Sequence, residues 1–115
     1  MRVVHEREGE TEALATTVET AGTFLSRARG LMFRRSIPSD YGLVFEFDAP
    51  ARRDVHMVFV PFPIDVLWLV DDAVEHVETL SAWTGLAAAD ADRLVELPAG
   101  AASDVRPGDA VRVER

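Results

Sequence analysis

The segment IDVLWLV, residues 64–70, constrains the fold more than any other part of the chain. All but one of its residues are apolar, and they occupy both of the faces between which a strand alternates. A strand apolar on both faces belongs in the middle of a β structure, covered on either side. VHMVFV (55–60) has the same character, and the two segments are separated by Pro61-Phe62-Pro63. Prolines 61 and 63 cannot donate to a ladder, so the spacing predicts two central strands joined by a corner. The one acid, Asp65, shares its strand face with Leu67 and Leu69. Its carboxylate is therefore expected in apolar surroundings, where it has to be paired, hydrogen-bonded or protonated.

The remaining pattern is also mostly strand. RVVHE and EALATTVET flank the turn residue Gly9, and GLVFEF (42–47), AVEHVETL (73–80), RLVEL (93–97) and DAVRVE (109–114) complete the set. Two helical pieces are predicted. In TFLSRARGLMFRR, Thr23 can cap, Phe24, Leu25, Ala28, Leu31 and Met32 fall on one face at helical spacing, and Gly30 would end the regular turn. PAGAASDV (98–105) has room for a single turn. With no linker, repeat or low-complexity tract, residues 1–115 read as one mainly β domain, sandwich- or barrel-like, with two short helices.

Charge limits what such a domain can meet. Twenty acids oppose 12 basic residues, all of them arginine, for a net charge of −8. That surface repels nucleic acid and anionic lipid, so neither is an expected partner. It also repels itself, and salt would screen the repulsion. Acid-rich, lysine-free chains rich in alanine and valine look like those of salt-loving archaea. The absence of cysteine excludes disulfides, thiolate metal sites and cysteine nucleophiles, and no two histidines have ligand spacing. No metal or other cofactor is expected. The first dozen residues, MRVVHEREGETE, carry charges where a signal peptide needs an apolar core, and the apolar run is broken by His56, Pro61, Pro63 and Asp65. The expectation is a cytoplasmic protein.

Against this acidic background, residues 27–53 hold six arginines and three acids. Arg27, Arg34 and Arg35 are candidate ligands for a carboxylate or phosphate, which the planar guanidinium fork suits. Asp65 is the candidate for an unusual carboxylate, and its plainer role is an ion pair with Arg34. Glu96, between Val95 and Leu97, could face the same cleft, and two carboxyls at a suitable separation can serve acid–base hydrolysis. His56 is the third catalytic candidate, although a histidine within an apolar strand is more often half-buried and satisfied.

Three blocks in this order, RGLMFRRSIPSDYGLVFEF, the 54–70 run and LVELPAGAASDVRPGDAV, resemble the domain of unknown function 192 family, also called uncharacterised protein family 0127. The resemblance runs from about Thr23 to Val113 and rests on Arg27, Gly30, Leu31, Met32 and Arg34, then Met57, Pro63 and Asp65, then Glu96, Ala99, Gly100, Gly108 and Asp109. His56 stands where family members often have Trp, and Val58, Phe59 and Val60 where they often have Lys-Asn-Thr. The resemblance implies a compact, mainly β domain with short helices and no assigned activity. Three functions stay open. The first is non-enzymatic binding of a small anionic or polar ligand near Arg34 and Asp65, together with Arg27 and Arg35. The second is a hydrolase using Asp65 and Glu96 with His56, and the third is an interaction module presenting a sheet edge.

Overall fold

A computed structural model of the chain describes residues 1–22 and 30–115. Eight strands form one sheet: β1 (Arg2–Arg7), β2 (Glu10–Ala15), β3 (Thr17–Ala21), β4 (Tyr41–His56), β5 (Ile64–Val70), β6 (Ala73–Leu80), β7 (Leu86–Pro98) and β8 (Ala110–Glu114). Their order across the sheet is β2-β1-β8-β6-β5-β7-β4-β3, antiparallel except for the parallel pair β3–β4. The two edge strands, β2 and β3, are consecutive in the chain, separated only by Thr16. A sheet whose opposite edges are joined by one residue has to curl until those edges meet. Gly42 on β4 permits the approach: a Cβ there would lie 2.9 Å from the Cβ of Ala15 on β2. The result is an open but strongly curled, barrel-like sheet.

Alternation along the central strands sorts the apolar residues onto two faces. Val44, Leu67, Leu69, Val95 and Leu97 pack with Val3, Ala15 and Val111 inside the curl. Leu43, Phe45, Ile64, Val66, Trp68 and Leu94 make the outer face, which Leu31, Met57 and Val60 cover from the connecting loops. β5, with β6 on one side and β7 on the other, is buried on both faces, as its composition requires. Trp68 is fully buried, and its indole N–H donates to the Arg53 carbonyl at 2.9 Å.

Several expectations are corrected. Among the described residues there is no helix: residues 99–104 form successive turns, and residues 30–33 are turn. Most of the first expected helix, Thr23 to Arg29, lies outside the described residues. The segment 55–60 is not a central strand, because β4 ends at His56 and residues 58–59 turn. Phe59 there has φ of 61°, which no extended strand accommodates. Prolines 61 and 63 explain this, since they deny donors to any strand that would continue through the loop. EALATTVET is broken at Thr16 into two strands at opposite edges. No helix among the described residues is long and apolar enough to cross a membrane.

Candidate functional site

β5 and β7 pair antiparallel with Asp65 opposite Leu97 and Val66 opposite Glu96. Paired residues share a face, so Asp65 lies with Leu97 on the inner face and Glu96 with Val66 and Leu94 on the outer one. Both carboxyls are buried, and the sheet stands between them. The expected hydrolytic pair of Asp65 and Glu96 therefore lacks its geometry. No single cleft holds both.

Asp65 is a structural clamp. Its Oδ2 accepts the backbone N–H groups of Gly100 at 3.0 Å and Ala102 at 2.9 Å, and Oδ1 accepts the Thr79 hydroxyl at 2.6 Å. The turns of residues 99–104, expected as a helical turn, are what present those two N–H groups. The expected Asp65–Arg34 ion pair is absent because Arg34 is on the other side of the sheet. Arg34 instead meets Glu19 at 3.2 Å and lies over the Tyr41 ring, 5.2 Å from its centroid. The Tyr41 hydroxyl and Arg34 hold the Glu19 carboxyl below its ordinary range. Burial, and next the Glu19 carboxylate, push the Tyr41 phenol up. Arg35 is exposed, and Arg27 lies outside the described residues. Among the described residues, Arg34, Arg35 and Asp65 thus do not converge on one anion site.

Glu96 occupies a different setting. It lies at a cavity of about 510 Å³ on the outer face, with apolar walls from Leu31, Phe45, Met57, Val60, Ile64 and Leu94. The carboxyl is only 6% exposed and has no hydrogen-bond partner among the described residues. Burial raises its pKa to about 7, against the lowering influence of Arg34. Gly30 forms part of the wall at φ of 50°, and a Cβ there would come within 3.9 Å of Glu96 Oε1. Gly30 thus lies directly beside the carboxyl.

The second half of β4 forms the mouth, with Arg52, Arg53, Asp54 and His56 lining it. Arg53 is committed: it donates to the carbonyls of Ala49 at 2.8 Å and Ala91 at 3.1 Å, and lies 3.8 Å over the Phe47 ring. These contacts brace β4 where its pairing with β7 is interrupted between Glu46 and Ala51. His56, expected to be half-buried, is exposed at the strand end, where its Nδ1 accepts the Val58 N–H at 3.3 Å. It adjoins the same cavity as Glu96.

The sequence pointed to Trp83, beside Thr84 and Gly85, as a residue that could line a pocket, but Trp83 does not line this cavity. Phe33, Phe59 and Trp83 are all exposed and all have positive φ, at 69°, 61° and 66°. Such backbone is uncommon for bulky side chains, and the surrounding contacts have to hold it. Here the loops hold one another, since Phe33 N–H donates to the Phe59 carbonyl at 2.9 Å and Trp83 N–H to the Val60 carbonyl at 3.0 Å. The Phe33 and Phe59 rings stack with centroids 5.0 Å apart. Exposed Val58 and Leu86 extend the apolar rim. The only sequence signal for it was an aromatic residue in each proline- or glycine-marked loop.

The DUF192 family model, described as "Uncharacterized ACR", matches residues 4–113. The match extends through β1, β2 and β3, well before the motifs that begin near Thr23. A UPF0127 protein from Thermococcus kodakarensis is 38% identical over 69 residues, which is 58% of this chain and 41% of that protein. The aligned segment thus spans less than half of the relative. Among solved structures, a protein from Sinorhizobium meliloti 1021, described only provisionally as a transcription regulator, is 27% identical with a TM-score of 0.83, over 96% of this chain and 91% of that one. A protein of unknown function from Novosphingobium aromaticivorans has the same fold, with 22% identity and a TM-score of 0.84 over 97% of this chain and 84% of that one.

Proposed function

The chain belongs to the DUF192 family, an uncharacterised one, and on the geometry of its outer face we propose that it binds a small molecule without transforming it. The ligand has an apolar body and at least one polar group. The observation that carries this reading is the buried, unpartnered Glu96 carboxyl at a cavity of about 510 Å³. A cavity of that size, largely apolar with a few polar groups, has the character of small-molecule sites. The site is not the one the arginines suggested, and Asp65 has no part in it. Among the described residues Glu96 is the one buried carboxyl lining the cavity, so acid–base hydrolysis by a buried pair has no support there.

The exposed apolar side chains of Phe33, Val58, Phe59, Trp83 and Leu86, with the Phe33 and Phe59 rings stacked, favour a second reading, a protein-interaction surface. A role in transcription, suggested by the description of the Sinorhizobium protein, is opposed by the net charge of −8.

A thermal-shift screen of small polar molecules in molar KCl tests the binding reading, because a ligand of the folded state stabilises by mass action. Methyl NMR then locates each hit. Met32 and Met57 line the cavity, and Met1 does not. The expected result is a rise in Tm with shifts at Met57 and none at Met1. If no compound raises Tm, or if hits move Met1 and leave Met57 still, the reading fails.

A further inference from the structure

Building on that binding reading, we infer that the cavity takes the ammonium group of a compact amine with an apolar body, paired with the carboxylate of Glu96. An ionised carboxylate only accepts hydrogen bonds and an ammonium only donates them, so each satisfies the other in apolar walls. No described protein group fills that role for Glu96. The nearby cations are engaged elsewhere. Arg34 is ion-paired with Glu19 and lies over Tyr41, and Arg53 is tied to two carbonyls and to the Phe47 ring. Among the described residues, Arg52, Asp54 and His56 are the other ionisable groups lining the cavity.

The overall charge favours a cation, against Arg52 and Arg53 at the mouth. A protein of net charge −8 enriches cations around it. An anion would meet Glu96 directly and be repelled unless the carboxyl were protonated.

Ligand binding is then linked to a proton. Glu96 titrates at about 7, so at pH 6 an arriving ammonium has to displace the carboxyl proton to bulk water. Affinity should therefore rise about ninefold from pH 6 to pH 8, as the ionised fraction goes from roughly 0.1 to 0.9.

Benzylamine, benzyl alcohol and benzoate share one body and differ in the head group. Each is titrated into the intact chain at fixed molar KCl, at pH 6 and pH 8, with the Met32 and Met57 methyls observed by NMR. Calorimetry of the wild type in two buffers of different ionisation enthalpy reads proton release without any variant. The expected result is that benzylamine binds most tightly at pH 8, weakens about ninefold at pH 6 and releases close to one proton there. Glu96→Gln should weaken benzylamine at least tenfold and spare benzyl alcohol. The amine inference is overturned, with the cavity reading intact, if benzyl alcohol or benzoate binds more tightly than benzylamine at pH 8, or if no proton is released at pH 6. Unchanged benzylamine affinity in Glu96→Gln overturns it equally. If none of the three moves Met57 at millimolar concentration, the amine inference and this cavity as a binding site fall together.

Discussion

Replacing Glu96 by glutamine should make the protein more stable at neutral and alkaline pH. The carboxyl is buried without a hydrogen-bond partner among the described residues, and burial raises its pKa from 4.5 to about 7. Between those values the folded state keeps a proton that the unfolded chain has released. Stability contributed by the protonated form is therefore fully present below pH 4.5 and is lost as pH rises through 7. The shift of about 2.5 units corresponds to roughly 3 kcal/mol at 1.36 kcal/mol per unit. Glutamine has nearly the same shape and nothing to ionise. Urea denaturation of both proteins at pH 5, 6, 7 and 8 in constant molar KCl measures the difference, and other titrating groups cancel in the subtraction. The variant should gain on the wild type by about 1 kcal/mol at pH 5 and about 2 kcal/mol at pH 6, approaching roughly 3 kcal/mol at pH 8. Two curves that stay parallel across that range would show that Glu96 is not held in the low-dielectric setting described here.

Asp65→Ala removes the acceptor for two backbone N–H groups and the Thr79 hydroxyl, and should cost roughly 3–5 kcal/mol in the same urea assay; a loss under 1 kcal/mol would contradict its role as a clamp. Gly85→Ala would place a Cβ 2.8 Å from the Leu80 Cβ and 2.9 Å from the Ser81 nitrogen, and a loss of about 1–3 kcal/mol is expected from the overpacking. With 20 acids against 12 arginines, the melting temperature should climb as KCl is raised into the molar range; a flat or falling curve would remove the reading of a salt-adapted surface.

Local patterns in the sequence determined the β class, the central place of residues 64–70 and the burial of Asp65. Each follows from strand alternation and from the cost of leaving apolar surface in water. The fixed two-residue period of side chains along a strand also determined that Asp65 shares a face with Leu67. Only the tertiary structure decided the rest. The register of β5 on β7 put Asp65 and Glu96 on opposite faces, and no pattern within either strand encodes the alignment between them. The partner of Asp65 came from turns at 99–104, whose N–H groups, unlike an arginine side chain, leave no mark in the sequence. Residues 57–60 have the composition of a strand and became a loop, because neighbouring prolines and hydrogen bonds to two other loops outweighed local preference. The curl of the sheet, enforced by one residue between its two edges, carried those loops around a cavity that includes Glu96. A carboxyl's isolation depends on every group around it in space, so strand alternation could place Glu96 on a face but could not show that it lacks a partner there.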